Sequence, residues 1–276
     1  MAEKNTNAWI ITVGNEILIG RIVNTNAAWL GEKLTFLGFR VERVITVPDS
    51  LEDIEEEVGR GIARARIVIT TGGLGPTYDD MTLEGVARAT GRRLVLNEEA
   101  YRMVREFYAK AGYELTKERE KMAMLPEGAE AIPNPVGAAP GSLLDLGDTL
   151  VISLPGVPAE MKAMFEQYVE PKLREIAPHK AVVDCGFIVK GVPESGLAPW
   201  IKKASRLEES IYLKSHPKGH ETMGPVLEIR VLASGKTRKE AMAKARRVLE
   251  YVAEKARGLG GETGEINCKG EDQADK

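Results

Sequence analysis

The sequence predicts an α/β protein in which a doubly wound, mostly parallel sheet is followed by a second, smaller α+β domain. Three observations carry this. Short β-branched apolar runs alternate with helical segments through residues 8–177, a grammar that demands crossover connections and hence parallel strands covered on both faces. A glycine-rich turn follows the third run, at the sheet edge where open α/β folds place their ligands. The charge also divides: residues 1–177 carry 20 Lys and Arg against 27 Asp and Glu (−7), and residues 178–276 carry 18 against 14 (+4).

Residues 8–13 form a β-branched apolar run ended by Gly14, which reads as a strand buried on both faces. Leu30, Leu34 and Leu37 then recur at helical spacing behind the capping candidates Thr25 and Asn26, and Gly38 suits the position after the helix. Val41–Val47 is strand-like, Ser50 opens a capping box with Asp53 ahead of a helix over Leu51–Ala65, and Arg66–Thr70 is the third strand. Helices are expected near Thr82–Thr90 and Glu98–Ala111, then a Gly- and Pro-rich stretch over 125–148, a buried strand over Leu150–Leu154 and a helix to about Ile176.

Beyond Pro178 the pattern becomes strand Val182–Val189, helix Ser195–Ser205, strands Ser210–Ser215 and Val226–Ala233, and helix Thr237–Arg257. His216 and His220 are placed in a surface hairpin loop. The expected division is 1–178 for the first domain, 179–257 for the second and 258–276 for an unstructured tail. No apolar run reaches the roughly 18 residues of a membrane span and the N-terminus lacks a signal-peptide core, so a cytoplasmic protein without membrane partners is expected. Two cysteines and three histidines cannot build a zinc cage of the usual kind, so any catalytic metal should be held by oxygen.

The most informative segment is Thr70-Thr71-Gly72-Gly73-Leu74-Gly75-Pro76-Thr77-Tyr78-Asp79-Asp80-Met81-Thr82, directly after the third strand and before a helix. Its glycines let the backbone approach an anion and point N–H groups at it, and the helix start adds a positive dipole end. It lacks both the Walker spacing and the G-x-G-x-x-G fingerprint, and it contains no lysine. Asp79 and Asp80 beside a phosphate would repel it unless a cation such as Mg²⁺ lay between them. If the first two strands run parallel to the third, Glu16 and Asp49 reach the same edge, and four carboxylates converge. The loops Asn134–Ser142 and Leu154–Glu160 add glycine, proline and polar ends, suggesting a second pocket wall that includes Gly141, Gly156, Pro158 and Glu160.

These motifs, taken in this order, resemble the CinA family of competence/damage-inducible proteins, whose N-terminal domain is similar to the molybdopterin-binding domains of MogA, MoaB and gephyrin. The resemblance spans about residues 8–177 through Gly14-x-Glu16, Asn24-Thr25-Asn26, Pro48-Asp49, the glycine loop and Leu154-Pro-Gly-Val-Pro-Ala-Glu160-Met161; residues 181–256 resemble the KH-like domain that follows in CinA proteins. It implies hydrolysis of ADP-ribose at its pyrophosphate with a divalent metal, Mg²⁺ or Co²⁺, and with K⁺ as a further candidate. Molybdopterin relatives instead bind or adenylylate a pterin phosphate. Asp80, Asp49 and Glu16 are the implied catalytic residues, Asp79 and Asp80 the metal pair, and Thr71, Gly72, Gly73, Gly75, Pro76, Thr77 and Asn26 join the second-wall residues as ligand-binding candidates. Asn15 and Asn24 stand where many members carry other residues, which removes potential carboxylates. With the sequence stopping at Lys276, nicotinamide mononucleotide deamidase activity is not expected.

The partner expected is therefore a small nucleotide or pterin phosphate, within a homo-oligomer for which a dimer is favoured over a trimer. Nucleic-acid binding by residues 180–257, with 16 Lys and Arg against 9 Asp and Glu, is the rival. Against it, the segment lacks a G-x-x-G clamp and has few aromatics, and its cations lie along a helix whose Ala241, Ala245, Val248 and Val252 face inward.

Overall fold

The computed structural model describes residues 6–218 and 224–270, so His220 and the last residues of the expected tail lie outside the described residues. Elements are numbered in chain order. The described residues form two compact units, one within residues 1–35 and 39–177, the other within residues 36–38 and 178–276.

In the first unit β1 (Asn7–Val13), β2 (Arg40–Val47), β3 (Ile67–Thr71) and β8 (Leu150–Leu154) form the parallel part of a six-stranded sheet. All five residues of β3 and of β8 are buried, as an unbroken apolar run in a two-sided parallel sheet should be. The sheet order is β2, β1, β3, β8, β7, β6, so the chain leaves β1 for one side and returns to the other. The switch point lies between the carboxyl ends of β1 and β3.

α1 (Asn15–Leu18) and α2 (Thr25–Phe36) join β1 to β2, and α3 (Leu51–Ile62) joins β2 to β3. Ser50 caps α3 by accepting from Asp53 N, as the capping box predicts. The cap of α2 differs from expectation: Asn24 Oδ1 accepts from Ala27 N, which leaves Asn26 free for other work. α4 (Thr82–Ala89), β4 (Leu94–Leu96), α5 (Glu98–Lys110) and α6 (Lys117–Glu120) follow.

The 125–148 stretch is not merely turns. β5 (Met124–Pro126) pairs with β4, while β6 (Glu130–Ile132) and β7 (Gly141–Asp145) extend the main sheet as antiparallel strands. Strands of three to five residues between prolines and glycines are too short to display a period of two. The helix expected to about Ile176 runs unbroken from Pro158, as α7 (Pro158–Met164) and α8 (Glu170–Ile176) joined by a wider helical turn over Phe165–Val169. Pro171 explains it, because its ring nitrogen cannot donate to the carbonyl four residues back.

The second unit has an antiparallel sheet of β9 (Ala181–Lys190), β10 (Ile211–Pro217) and β11 (Val226–Gly235), packed on α9 (Glu194–Ala204) and α10 (Arg238–Gly258). Val183, Phe187 and Val189 of β9 and Ile229 and Val231 of β11 are buried with the inward Ala241, Ala245, Val248 and Val252 of α10, as the helical pattern requires. On its outer side, Lys244 pairs with Glu240, Arg247 with Glu208 and Lys255 with Glu254. His216 lies within β10, opposite Glu228, rather than in a loop.

The expected unstructured tail is corrected as far as Gly270. β12 (Glu262–Thr263) and β13 (Asn267–Lys269) pair with the free edge of β9, and Cys268, directly opposite Cys185, is disulfide-bonded to it. Segments this short have no periodicity of their own; they are ordered by an existing strand edge and a covalent link. With 83 residues between the cysteines, Cys268→Ser should destabilise the second unit by about 2–4 kcal/mol. Thermal melting checks this: reductant should lower the wild-type midpoint to that of the variant and leave the variant unchanged.

Candidate functional site

Because β2, β1, β3 and β8 run parallel, the loops after them gather at one edge of the sheet. There they enclose a cavity of about 600 Å³, centred on the switch point. Glu16, Asn26, Asp49, Thr71, Gly72, Gly73, Gly75, Pro76, Thr77, Asp79, Asp80, Gly156, Pro158 and Glu160 all line it.

The glycine loop is folded against the sheet by its own backbone. Gly72 N donates to Leu154 O at 3.0 Å, so this group is not the free anion donor that the sequence suggested. Thr82, at the start of α4, donates from N to Gly73 O (3.2 Å) and from Oγ1 to Gly72 O (2.7 Å). The helix start therefore clamps the loop. Gly73, Leu74 and Gly75 line the cavity and their N–H groups have no protein partners among the described residues, which makes these three the candidates for holding an anion.

Thr77 organises the two aspartates. Its N–H donates to Asp80 Oδ2 at 2.9 Å, and its hydroxyl contacts both Asp79 Oδ1 and Asp80 Oδ2. Neither aspartate caps α4. The bond from Thr77, then the backbone bond of Asp79 itself and the charge of Lys121, hold the Asp79 carboxyl below the usual carboxylate range despite the opposing cost of desolvation.

The four carboxylates reach one edge of the sheet and line one cavity, as the parallel strands imply, without gathering around a single point. Among the described residues no three His, Cys, Asp or Glu side chains lie close enough together to hold a metal. Asp49 Oδ2 accepts from Asn15 N at 2.9 Å, and Glu16 folds back over Gly14, where an added Cβ would lie 2.6 Å from Glu16 Oε1. These two acids line the cavity but are turned to their own loops. Asp79 and Asp80 remain the candidates for a cation, and a pair of carboxylates fits an ion such as Mg²⁺ that completes its shell with phosphate oxygens and water.

On the opposite wall, Asn26 Nδ2 donates to Thr71 Oγ1 (3.0 Å) and to Gly156 O (2.8 Å), and Thr71 Oγ1 donates to Pro155 O (2.9 Å). Asn26 and Thr71 thus tie α2, β3 and the turn before α7 into one wall. Gly141 does not belong to the cavity: it starts β7, and a Cβ there would lie 2.7 Å from Ser153 O, so the glycine serves sheet packing.

Glu160 acts as a clasp. Its Oε2 accepts from Asn134 Nδ2 at 2.7 Å, while Asn134 Oδ1 accepts from Val136 N and Gly137 N, which pins the loop bearing Ala138 and Ala139. A Cβ on Gly137 would approach the Glu160 carboxyl to 2.4 Å. Gly137→Ala should therefore push Glu160 aside and cost about 1 kcal/mol, the size of one lost hydrogen bond. Denaturant melts of Gly137→Ala in wild-type and Glu160→Ala backgrounds check this, the cost being expected only in the first.

Sequence reasoning did not reach Tyr108, Met122, Ile22 and Val23, which also line the cavity. Tyr108 and Met122 come from α5 and the turn before β5, far along the chain from the loops they face; only tertiary structure joins them. Ile22 and Val23 are exposed apolar residues in the connection between α1 and α2, which has no periodic pattern.

Residues 9–175 match the family model described as "Probable molybdopterin binding domain". A protein of Aeropyrum pernix is 60% identical over 263 residues, spanning 95% of this chain and 98% of that one. One from Metallosphaera sedula is 45% identical over 255 residues, spanning 92% and 96%. Among solved structures, the CinA protein of Thermoplasma acidophilum, described as of unknown function, is 44% identical and superposes with a TM-score of 0.59 over 62% of this chain and 99% of its own. The chain belongs to the molybdopterin-binding domain family.

Proposed function

We propose that the cavity binds a phosphorylated pterin of the molybdopterin class, its phosphate against the N–H groups of Gly73, Leu74 and Gly75 and its ring system between the Ile22–Val23 segment and the Gly156–Pro158 turn. The observation that supports this best is the run of unpartnered N–H groups at Gly73, Leu74 and Gly75 at the sheet's switch point, on a cavity of about 600 Å³, within the ~300–1,000 Å³ range of small-molecule sites. A divalent cation bound by Asp79 and Asp80 would neutralise the phosphate. The chain's own residues orient the ligand: the loop amides fix the phosphate, Asn26 and Thr71 hold the facing wall, and the Asn134–Glu160 clasp sets the third.

A second reading is supported by Glu16 and Asp49, two further carboxylates on the same cavity. It is metal-dependent cleavage of a nucleoside diphosphate-linked compound such as ADP-ribose, with one of these acids orienting or deprotonating water. Fluorescence titration of the whole protein with molybdopterin tests the first reading; saturable binding that a Gly75→Asp variant lacks is expected, and no binding by folded wild type would overturn it. In parallel, ADP-ribose is incubated with Mg²⁺ or Co²⁺, with and without K⁺, and followed by ³¹P NMR. Release of AMP and ribose 5-phosphate would establish cleavage, and intact ADP-ribose would exclude it for this compound.

A further inference from the structure

The glycine loop contains no lysine or arginine, and its ionisable side chains from Thr71 to Asp80 include two carboxylates. A phosphate seated there would meet net negative charge. The Thr77 hydroxyl deepens the difficulty, because it has one proton to donate and contacts an oxygen of each aspartate. A cation does reach the loop, from 44 residues further along: Lys121 Nζ donates to Thr77 O.

Lys121 stands at a junction. It lines a small cavity whose other walls include Gly73, Gly75 and Asp80, behind the loop, and it is absent from the lining of the large one. The next residue, Met122, lines both. Two residues earlier, the Arg119 guanidinium lies 4.2 Å from the ring centre of Tyr108, itself a wall of the large cavity. The turn that carries Lys121 is therefore anchored to the cavity wall beside it.

We infer that Lys121 is a positioning residue of the phosphate site: it holds the Thr77 carbonyl, thereby aims the Gly73–Gly75 amides, and supplies from behind the positive charge that the loop lacks. Its functional half rests on the phosphate-binding reading above, while its hold on the loop does not. The role requires a cation that donates hydrogen bonds, so arginine should replace lysine and alanine should not.

The test uses the full chain as wild type, Lys121→Ala and Lys121→Arg, with two readouts. Amide hydrogen exchange over Thr77–Met81 without ligand should speed up about tenfold or more in Lys121→Ala and return toward wild type in Lys121→Arg, at unchanged global melting. Calorimetric affinity for inorganic pyrophosphate with Mg²⁺ should fall by a similar factor of about ten in Lys121→Ala, again with rescue by arginine. Unchanged exchange in Lys121→Ala, or a loosened loop with unaltered pyrophosphate affinity, would overturn the proposal. Wild type that binds no pyrophosphate while the exchange contrast holds would overturn the phosphate-binding reading and leave the hold of Lys121 on the loop supported.

Discussion

Gly72→Ala should be among the most damaging single substitutions in the first unit, costing about 3–5 kcal/mol, since it combines backbone strain with overpacking. Gly72 has φ +107°, a conformation L side chains rarely adopt, and its added Cβ would lie 2.2 Å from Val13 O. That oxygen belongs to the backbone of β1, which is held on both sides by β2 and β3, so it cannot swing away as a side-chain tip would. Relief would require separating β1 from the loop, and with it the bond from Gly72 N to Leu154 O that fixes the loop to β8. At about 2–4 °C per kcal/mol for a unit of this size, the melting midpoint should fall by roughly 10 °C. Gly147→Ala is the control: φ there is +83° but nothing lies within 4 Å of the added Cβ, so only the conformational cost of about 1 kcal/mol remains. Equal midpoints for the two variants would show that the Val13 contact carries no weight.

The contrast between these glycines also shows what can be read from sequence and what cannot. Consecutive glycines after a buried strand announce a close approach, but Val13 as the group approached emerges only once β1 lies beside β3. β1, β3 and β8 were legible because strands buried on both faces are continuous apolar runs, and α10 because its inward residues keep helical spacing over 21 positions. β5, β6 and β7 were not, since their order comes from pairing with neighbours rather than from local pattern. The same holds for β12 and β13, ordered by β9 and by Cys185. In Asn24-Thr25-Asn26 the composition marked a helix start, yet either asparagine could have capped it; the structure gives the cap to Asn24 and sends Asn26 across to Thr71 and Gly156. At the site, the residues on the loops after the parallel strands were recognisable because topology alone brings those loops together. Lys121 and Tyr108 were not, because each reaches the site, Lys121 at the loop and Tyr108 at the cavity wall, from a separate part of the chain whose local sequence has no reason to mention it.

Asp80→Asn should weaken metal-assisted phosphate binding about a hundredfold while leaving the loop in place, and the reason lies in how Asp80 divides its oxygens. One oxygen, Oδ2, accepts from Thr77 N and contacts the Thr77 hydroxyl. An asparagine can retain that acceptor by presenting its carbonyl to Thr77, so the turn should survive. What it cannot retain is the negative charge, and its amide nitrogen would then replace the oxygen available to a cation. Mg²⁺-dependent affinity for pyrophosphate should therefore fall about a hundredfold, near 2.7 kcal/mol, with a thermal midpoint close to wild type. Asp80→Ala removes both functions: it should lose the affinity and in addition speed amide exchange across Thr77–Met81. The decisive comparison is the metal dependence of the asparagine variant, measured by titrating pyrophosphate with and without Mg²⁺. If Mg²⁺ strengthens binding equally in wild type and Asp80→Asn, the cation is held elsewhere and Asp80 is only the acceptor of the Thr77 turn. If the advantage of Mg²⁺ vanishes while the turn stays protected, the carboxylate is the group that joins metal to phosphate, and the same variant then becomes the control that separates binding from any cleavage at this loop.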